Sequence, residues 1–282
     1  MVEKRQENGF GTPYEQLYIY LVNGVVRAED EAVFGERFIG RWIEDGSSFL
    51  FFSEPSRRKV DLLLCRRHDL SLLQEHRFTY DEWQGSFLEP LKVENLLIVP
   101  PWKDVEAENG SIKVLLDPGV VFGSGLHPTT RDCLKALLRL TSIGHLGSVL
   151  DIGTGTGILA LAAARLGAEK VAAVDLNPLC VNTAKRNVAL NHLEQTIEVM
   201  EGKAEDFVGF PAQLVLANIH YDVMRKLMDQ IEFQGKRWYI LSGLMRSQAR
   251  DIEARLPARR LKMEQAWDHE ATWYTLLIRG KA

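Results

Sequence analysis

Apolar runs in this chain end on residues able to hold a ligand. The run Val149-Leu150-Asp151-Ile152-Gly153-Thr154-Gly155-Thr156-Gly157 places an acid directly before glycines at alternate positions, and an alanine-rich stretch follows from Ile158 to Leu166. Glycine has no Cβ, so such a turn can be tight and a ligand can approach its backbone. A second apolar run, Lys170 to Asp175, ends in a carboxylate about 20 residues on, where nucleotide-type folds bind a ribose. A purely structural strand-to-helix turn would also favour glycine, but it would not call for the second acid. A dinucleotide is disfavoured, because its fingerprint needs a glycine or alanine at 158, and this chain has Ile158 there with Gly157 one place early. Asp151 would repel a pyrophosphate, yet it suits a ligand with an ammonium group. S-adenosylmethionine (SAM) carries an ammonium, a ribose and an adenine and no phosphate, so the chemistry expected is methyl transfer from a sulfonium.

A third run, 213–218, ends in Asn218 and is followed by Ile219-His220-Tyr221. The amide oxygen of Asn218 can accept a hydrogen bond from a nucleophile's N–H and so aim its lone pair. His220 titrates near neutrality in its ordinary state and can take a proton; a surface or packing place is the alternative. The spacing Asn218-Ile219-His220-Tyr221 resembles the Asn-Pro-Pro-Tyr of methyltransferases acting on planar nitrogens, without its prolines, so Tyr221 is either a stacking ring or a packing residue at a helix start. Upstream, LLDPGVVFGSGLHPTT (115–130) is dense in glycine and proline. Its Phe122, His127, Thr129 and Thr130 read as a lid or ligand wall. The alternative is an irregular loop before a helix whose first turn is capped by Thr129 and Thr130.

These residues need an α/β frame to hold them. Strands are expected at 148–152, 170–175, 197–201, 213–218 and 237–242, with helices at 128–140, 156–167, 178–191, 221–231 and 245–255, and a closing strand pair at 261–268 and 271–279. Such alternation predicts a seven-stranded, mostly parallel Rossmann-like sheet with helices on both faces. Residues 1–80 read as a smaller α+β domain with strands at Tyr14–Val22, Phe49–Ser53 and Val60–Cys65, a short helix over Asp30–Phe38 and a helical turn at Leu70–Glu75. Residues 81–114 form a linker region interrupted by Pro100-Pro101, and 115–282 the cofactor domain. Trp83, Phe87 and Trp102 are either packing aromatics between the domains or a rim over the substrate. Arg57-Arg58-Lys59 and Arg66-Arg67 are either solvated loop ends or a binding patch. Residues 1–13 look like a loose polar arm.

Composition excludes several classes. With 282 residues, 46% hydrophobic and 26% charged, the chain can bury a core and is not disordered. A net charge of -4 argues against an extensive nucleic-acid surface. Cys65, Cys133 and Cys180 are few, odd in number and widely spaced; they form no metal motif or disulfide framework, and a reducing cytoplasm is the natural reading. Met1–Gly11 is polar and charged, unlike a secretory signal, and no apolar run approaches the ~18 residues of a membrane helix.

Taken together, LLDPGVVFGSGLHPTTRDCL, VLDIGTGTGILALAAARLGAEKVAAVDLNP and VLANI resemble the PrmA family, which methylates ribosomal protein L11. The resemblance runs from about Asp81 to the C-terminus. It implies a class I SAM-dependent methyltransferase, with SAM as cofactor, amino groups of a ribosomal protein as acceptor and a cytoplasmic place. Matched by position, Thr130, Gly153, Asp175 and Asn218 would bind SAM, and Phe122, Gly123, Gly125 and His127 would cover it. The family's N-terminal domain follows a βαββαβ plan, whereas only one short helix before Phe49 is legible here. The alternatives left open are the same chemistry on another protein, a small molecule or a nucleobase, and a non-catalytic SAM-binding module.

Overall fold

The expected strands at 148–152, 170–175 and 213–218 are almost free of charge, the pattern of strands covered on both faces. Nearer the N-terminus the expected strands 14–22 and 49–53 hold one charged residue between them and are separated by a charged stretch, 27–45. In the computed structural model, which describes residues 12–85 and 89–280, the chain separates into two units, Met1–Leu88 and Glu89–Ala282.

In the first unit β1 (Gln16–Asn23), β2 (Phe38–Glu44), β3 (Ser47–Phe52) and β4 (Ser71–Thr79) form a sheet in the order β2-β3-β1-β4, antiparallel throughout. The helix α1 (Arg57–Arg66) joins β3 to β4, and α2 (Tyr80–Gln84) follows. Two short 3₁₀ turns, Ala28–Val33 and Gly35–Arg37, stand between β1 and β2. This is the ferredoxin-like βαββαβ arrangement with its first helix reduced to 3₁₀ turns.

Four expectations change here. Residues 60–65 are helical rather than extended, because Val60 and Leu63 form one stripe buried with Tyr20, Val22, Phe34 and Phe52, while Leu62 is 45% exposed. A short apolar run does not reveal its period. Leu70–Glu75 belongs largely to an edge strand, whose exposed residues hide the alternation and whose pairing with β1 decides its state. The helix expected over Asp30–Phe38 is the pair of 3₁₀ turns, and β2 was not expected at all. Trp83 packs within this unit, with ring centroids 5.4 Å from Phe51 and 6.1 Å from Phe78. Phe87 and residues 1–11 of the polar arm lie outside the described residues.

The second unit begins in the stretch expected as a linker. There β5 (Leu91–Val93), β6 (Leu96–Val99) and β7 (Ile112–Leu115) form a small sheet of their own. The main elements follow as α3 (Pro128–Thr141), β8 (Ser148–Ile152), α4 (Ile158–Arg165), β9 (Lys170–Asp175), α5 (Pro178–Leu190), β10 (Ile197–Glu201), β11 (Leu214–Asn218), α6 (Tyr221–Met228), β12 (Trp238–Met245), α7 (Arg246–Arg255), β13 (Lys262–His269) and β14 (Trp273–Arg279). The sheet order is β10-β9-β8-β11-β12-β14-β13. The first five strands are parallel, and β14 is antiparallel to both its neighbours.

Alternate strand residues enter two different cores. Val149, Leu214, Leu216 and Ile240 join one cluster with α3 and α4; Leu150, Ile152, Val215, Ala217 and Leu241 join the other with α6 and α7. In α4, Ile158 to Ala163 are all buried, and alanine lets this helix approach its neighbours closely. Among the described residues no helix is long and apolar enough to cross a membrane.

The helical phase of α1 has a direct test. Leu63→Ala removes a side chain that is 1% exposed and should cost about 2–5 kcal/mol, while Leu62→Ala should stay within about 0.5 kcal/mol. Urea unfolding of both variants checks this; equal losses would contradict the helical stripe.

Candidate active site

Strand order reverses at β8, from which β9 and β10 lead one way and β11 and β12 the other. Open α/β sheets bind ligands in the crevice outside the carboxyl ends of strands at such a point. Ile152 pairs with Ala217, so Gly153 and Asn218 emerge at the same level. Gly153 has φ +70°, and a Cβ on it would lie 2.3 Å from Ile219 Cγ2; Gly155 has φ +55°, and its Cβ would lie 2.6 Å from the Phe122 carbonyl oxygen. Side chains at either place would collide or strain the backbone. The turn therefore touches both the segment after β11 and the loop before α3.

That loop is held from the side by two buried asparagines of α5 and its C-cap that sequence reasoning missed. Asn187 accepts from the Asp117 N–H (2.8 Å) and donates to the carbonyls of Asp117 and Thr156 (2.8 Å each). Asn191 accepts from the Leu115 N–H (2.9 Å) and donates to its carbonyl (2.7 Å). From the glycine side, the Thr156 N–H donates to the Phe122 carbonyl and the Thr156 hydroxyl to that of Gly123. Burial together with a side chain able to imitate a strand partner was the available signal, but burial is not visible in sequence.

The two acids sit differently. Asp175, half-buried at the end of β9, accepts from the N–H groups of Gly155 and Asn177 (2.9 Å each). Burial raises its pKa, and the N–H groups of Asn177 and Gly155 oppose that rise. Asp151 lies inside β8, 1% exposed, and its Oδ2 accepts from the Thr154 hydroxyl (2.6 Å). Burial pushes its carboxyl up to about 7, against a smaller downward pull from the Thr154 hydroxyl.

At the start of α3 the structure joins residues that sequence left apart. The cap is His127, whose Nδ1 accepts from the Thr129 N–H, rather than either threonine hydroxyl. The Asn218 Nδ2 donates to Thr129 Oγ1 (3.3 Å), which stands 2.7 Å from His127 Nδ1. Burial, and secondarily His269, lowers the His127 pKa, so the neutral ring accepts the Thr129 proton at Nδ1. This chain of bonds sets the amide sense of Asn218 and leaves Oδ1 on the other side. A Cβ at Gly243 would lie 3.0 Å from that oxygen, so glycine keeps the space beside it open. His127 also meets Phe122 (5.6 Å) and Trp273 (5.0 Å) edge to face, and Phe122 is 54% exposed. Thr130 Oγ1 is buried with no hydrogen-bond partner among the described residues. An orphaned hydroxyl and a half-buried carboxylate at the carboxyl ends of the strands fit a polar ligand.

His220 and Tyr221 have other occupations. His220 caps α6 through the Asp222 N–H (3.4 Å), and its side chain is 74% exposed. The Tyr221 hydroxyl donates to Asp251 Oδ2 of α7 (2.6 Å), and its ring packs against the second core. The contacts favour the cap and packing alternatives for this pair.

Two outcomes test this arrangement. Asn187→Leu should strip buried backbone groups of partners at about 1–3 kcal/mol each, with faster amide exchange across 115–123; unchanged exchange would show that the asparagine does not hold the loop. Asp151 should also impose a pH dependence. Its folded pKa of about 7 lies above the ordinary ~3.9 of an unfolded chain, so between those values the folded state holds the extra proton and stability falls as pH rises. Asp151→Asn should remove on the order of 2 kcal/mol of that loss between pH 5 and 7, read by denaturant unfolding at each pH.

Comparison with known proteins agrees with this geometry. The family model "Ribosomal protein L11 methyltransferase (PrmA)" matches residues 59–281. A ribosomal protein L11 methyltransferase of Shouchella clausii is 38% identical over 222 residues, 76% of this chain and 70% of the relative. One from Clostridium botulinum is 35% identical over 182 residues, 62% of this chain and 57% of the relative, so here the chain spans little more than half of the relative's length. The crystal structure of a ribosomal protein L11 methylase from Lactobacillus delbrueckii subsp. bulgaricus superposes with a TM-score of 0.59 at 29% identity, covering 68% of this chain and 99% of that one. By the match of that family model over residues 59–281 and by a relative 38% identical, the chain belongs to the ribosomal protein L11 methyltransferase (PrmA) family.

Proposed function

We propose that the chain is a SAM-dependent N-methyltransferase that methylates amino groups of an L11-like ribosomal protein, acting in the cytoplasm. The observation that best supports this is the convergence of Asp175, the glycine turn and an Asn218 whose amide is oriented through Thr129 and His127. In this reading Asp175 accepts from the ribose hydroxyls, since carboxylate oxygens that each take one N–H retain further lone pairs. Gly153 and Gly155 admit the methionine part against the backbone. Thr130 turns its unpartnered hydroxyl to the polar end of that part, and Phe122, Gly123 and His127 cover it. Asp151, buried beneath the turn, favours the positive ligand through its field.

SAM supplies a methyl group on a sulfonium, open to in-line attack. What remains for the protein is alignment and exclusion of water. A lysine with pKa near ~10.4 is neutral in only roughly one of a few thousand molecules at pH 7. Desolvation beside a cation shifts it toward the neutral, nucleophilic form. Asn218 Oδ1 then accepts one N–H and aims the lone pair, while the fixed Nδ2 contact with Thr129 prevents the amide from flipping. His220 and Tyr221 hold the start of α6 by the contacts described above.

A second reading keeps the chemistry and changes the protein acceptor. It is favoured by the family match beginning at residue 59, which leaves most of the first unit's sequence outside it. Incubation with methyl-labelled SAM and lysate fractions from cells lacking the endogenous activity separates the two. Label on a ribosomal protein is the expected result, label on another protein alone would redirect the substrate, and SAM binding without any label would overturn the enzymatic reading. Asp175→Ala should weaken SAM binding at least about tenfold, from lost hydrogen bonds to a charged group. Asn218→Ala should lower kcat about a hundredfold, within the range of lost transition-state contacts, and leave SAM affinity within about twofold, by calorimetry and single-turnover rates; wild-type turnover would remove its orienting role.

A further inference from the structure

The edge of the crevice continues along β12. Ser242 pairs with Thr275 and Met245 with Trp273, the ring that stands 5.0 Å from His127. Directly beyond lies an open groove of about 400 Å³ lined by Met245, Arg246, Ser247, Arg250, Ala271 and Thr272. Met245 is 51% exposed. Arg246 and Arg250 lie one helical turn apart on α7 and so share a face. Both are exposed, and neither forms an ion pair or side-chain hydrogen bond with the described residues. The next arginines differ: Arg255 pairs with Asp251 and Asp229, and Arg259 with Asp229. The carboxylate of Asp251 is further occupied by the Tyr221 hydroxyl. Two guanidinium groups thus stand without an ionic partner among the described residues, beside the strand pair that carries Trp273.

We propose that this groove is the docking subsite for an acidic segment of the protein substrate beside the methylated amine, with Arg246 and Arg250 taking carboxylates and Met245 an aliphatic side chain. The proposal rests on the protein N-methyltransferase reading. Guanidinium groups bind carboxylates bidentately, and a flexible thioether adapts to varied apolar partners. A nucleic acid would call for a longer basic stripe with aromatic stacking faces; the groove holds two cations and no aromatic ring among its lining residues. The subsite would hold the segment in register while the amine enters beside Asn218, which spends remote binding energy on orientation.

The test uses the full chain and the double variants R246Q/R250Q and R246E/R250E. The first probe is a fluorescent nonapeptide with a central lysine flanked by glutamates; the others are its glutamine twin, its lysine-flanked twin and a short single-stranded RNA. The wild type should bind the glutamate peptide at least about tenfold more tightly than the glutamine twin, with affinity falling as salt rises. R246Q/R250Q should lose that preference, and R246E/R250E should shift it to the lysine-flanked peptide. With purified ribosomal protein L11, KM should rise at least about fivefold in both variants while SAM affinity and kcat stay near wild type. Equal binding of the glutamate and glutamine peptides, or RNA as the tightest arginine-dependent ligand, would overturn the proposal. Arginine-dependent preference for the glutamate peptide, combined with no methylation of L11 by the wild type, would support the groove and sink the substrate reading alone.

Discussion

Close packing against the Cβ-free glycines that follow β8 is the constraint that organises the second unit. The α-carbon of Gly155 lies against the Phe122 carbonyl, and that of Gly153 against Ile219. Contacts this close, one to the Phe122 backbone and one to the Ile219 side chain, align three segments from distant parts of the chain. They also demand that the exposed peptide groups find partners, because buried backbone polar groups without bonds are costly. Thr156, Asn187 and Asp175 meet that demand, each from a different element. The loop carrying Phe122 and His127 is thereby tied down along both sides, and the first turn of α3 is delivered to the crevice with it.

Electrostatics at the crevice follow from this packing. Burial outweighs hydrogen bonding at Asp151, so its negative charge is disfavoured in the free protein and relieved by a nearby cation. Burial acts in the opposite chemical sense at His127: it keeps the ring neutral and able to accept a proton from Thr129. Desolvation thus leaves Asp151 poised to respond to positive charge and, separately, His127 as a neutral imidazole that holds Thr129 and through it the Asn218 amide. The groove arginines remain exposed to water, where their charges cost little and stay available to a partner.

The parallel sheet was readable because its strands are short, apolar and separated by helices of normal length; their boundaries shifted by only a few residues, as with the helix expected at 221–231 that ends at Met228. The first unit was harder to read. In α1 three consecutive leucines blur the difference between periods of 2 and 3.6, and only the core made with Tyr20, Phe34 and Phe52 selects Val60 and Leu63 as the inner face. In β4 an edge position leaves exposed residues on a strand that pairs with β1 except at a bulge at Leu73. The ferredoxin-like arrangement survives with 3₁₀ turns in place of its first helix, because sheet order depends on strand pairing and not on the length of the crossover.

By itself, the sequence determined which residues stand at strand ends: Asp175 and Asn218 follow apolar runs, and the glycines follow Asp151, because local period and Cβ-free turns are properties of neighbouring residues. Tertiary structure decided what those residues face. Thr129 orients Asn218 from 89 residues away, Asn187 pins a loop 70 residues before it, Tyr221 donates to Asp251 of α7, and Thr130, in the first turn of α3, keeps a buried hydroxyl without a partner among the described residues. Such pairings depend on burial and direction, which arise only when segments far apart in the chain are packed together and must satisfy one another's polar groups.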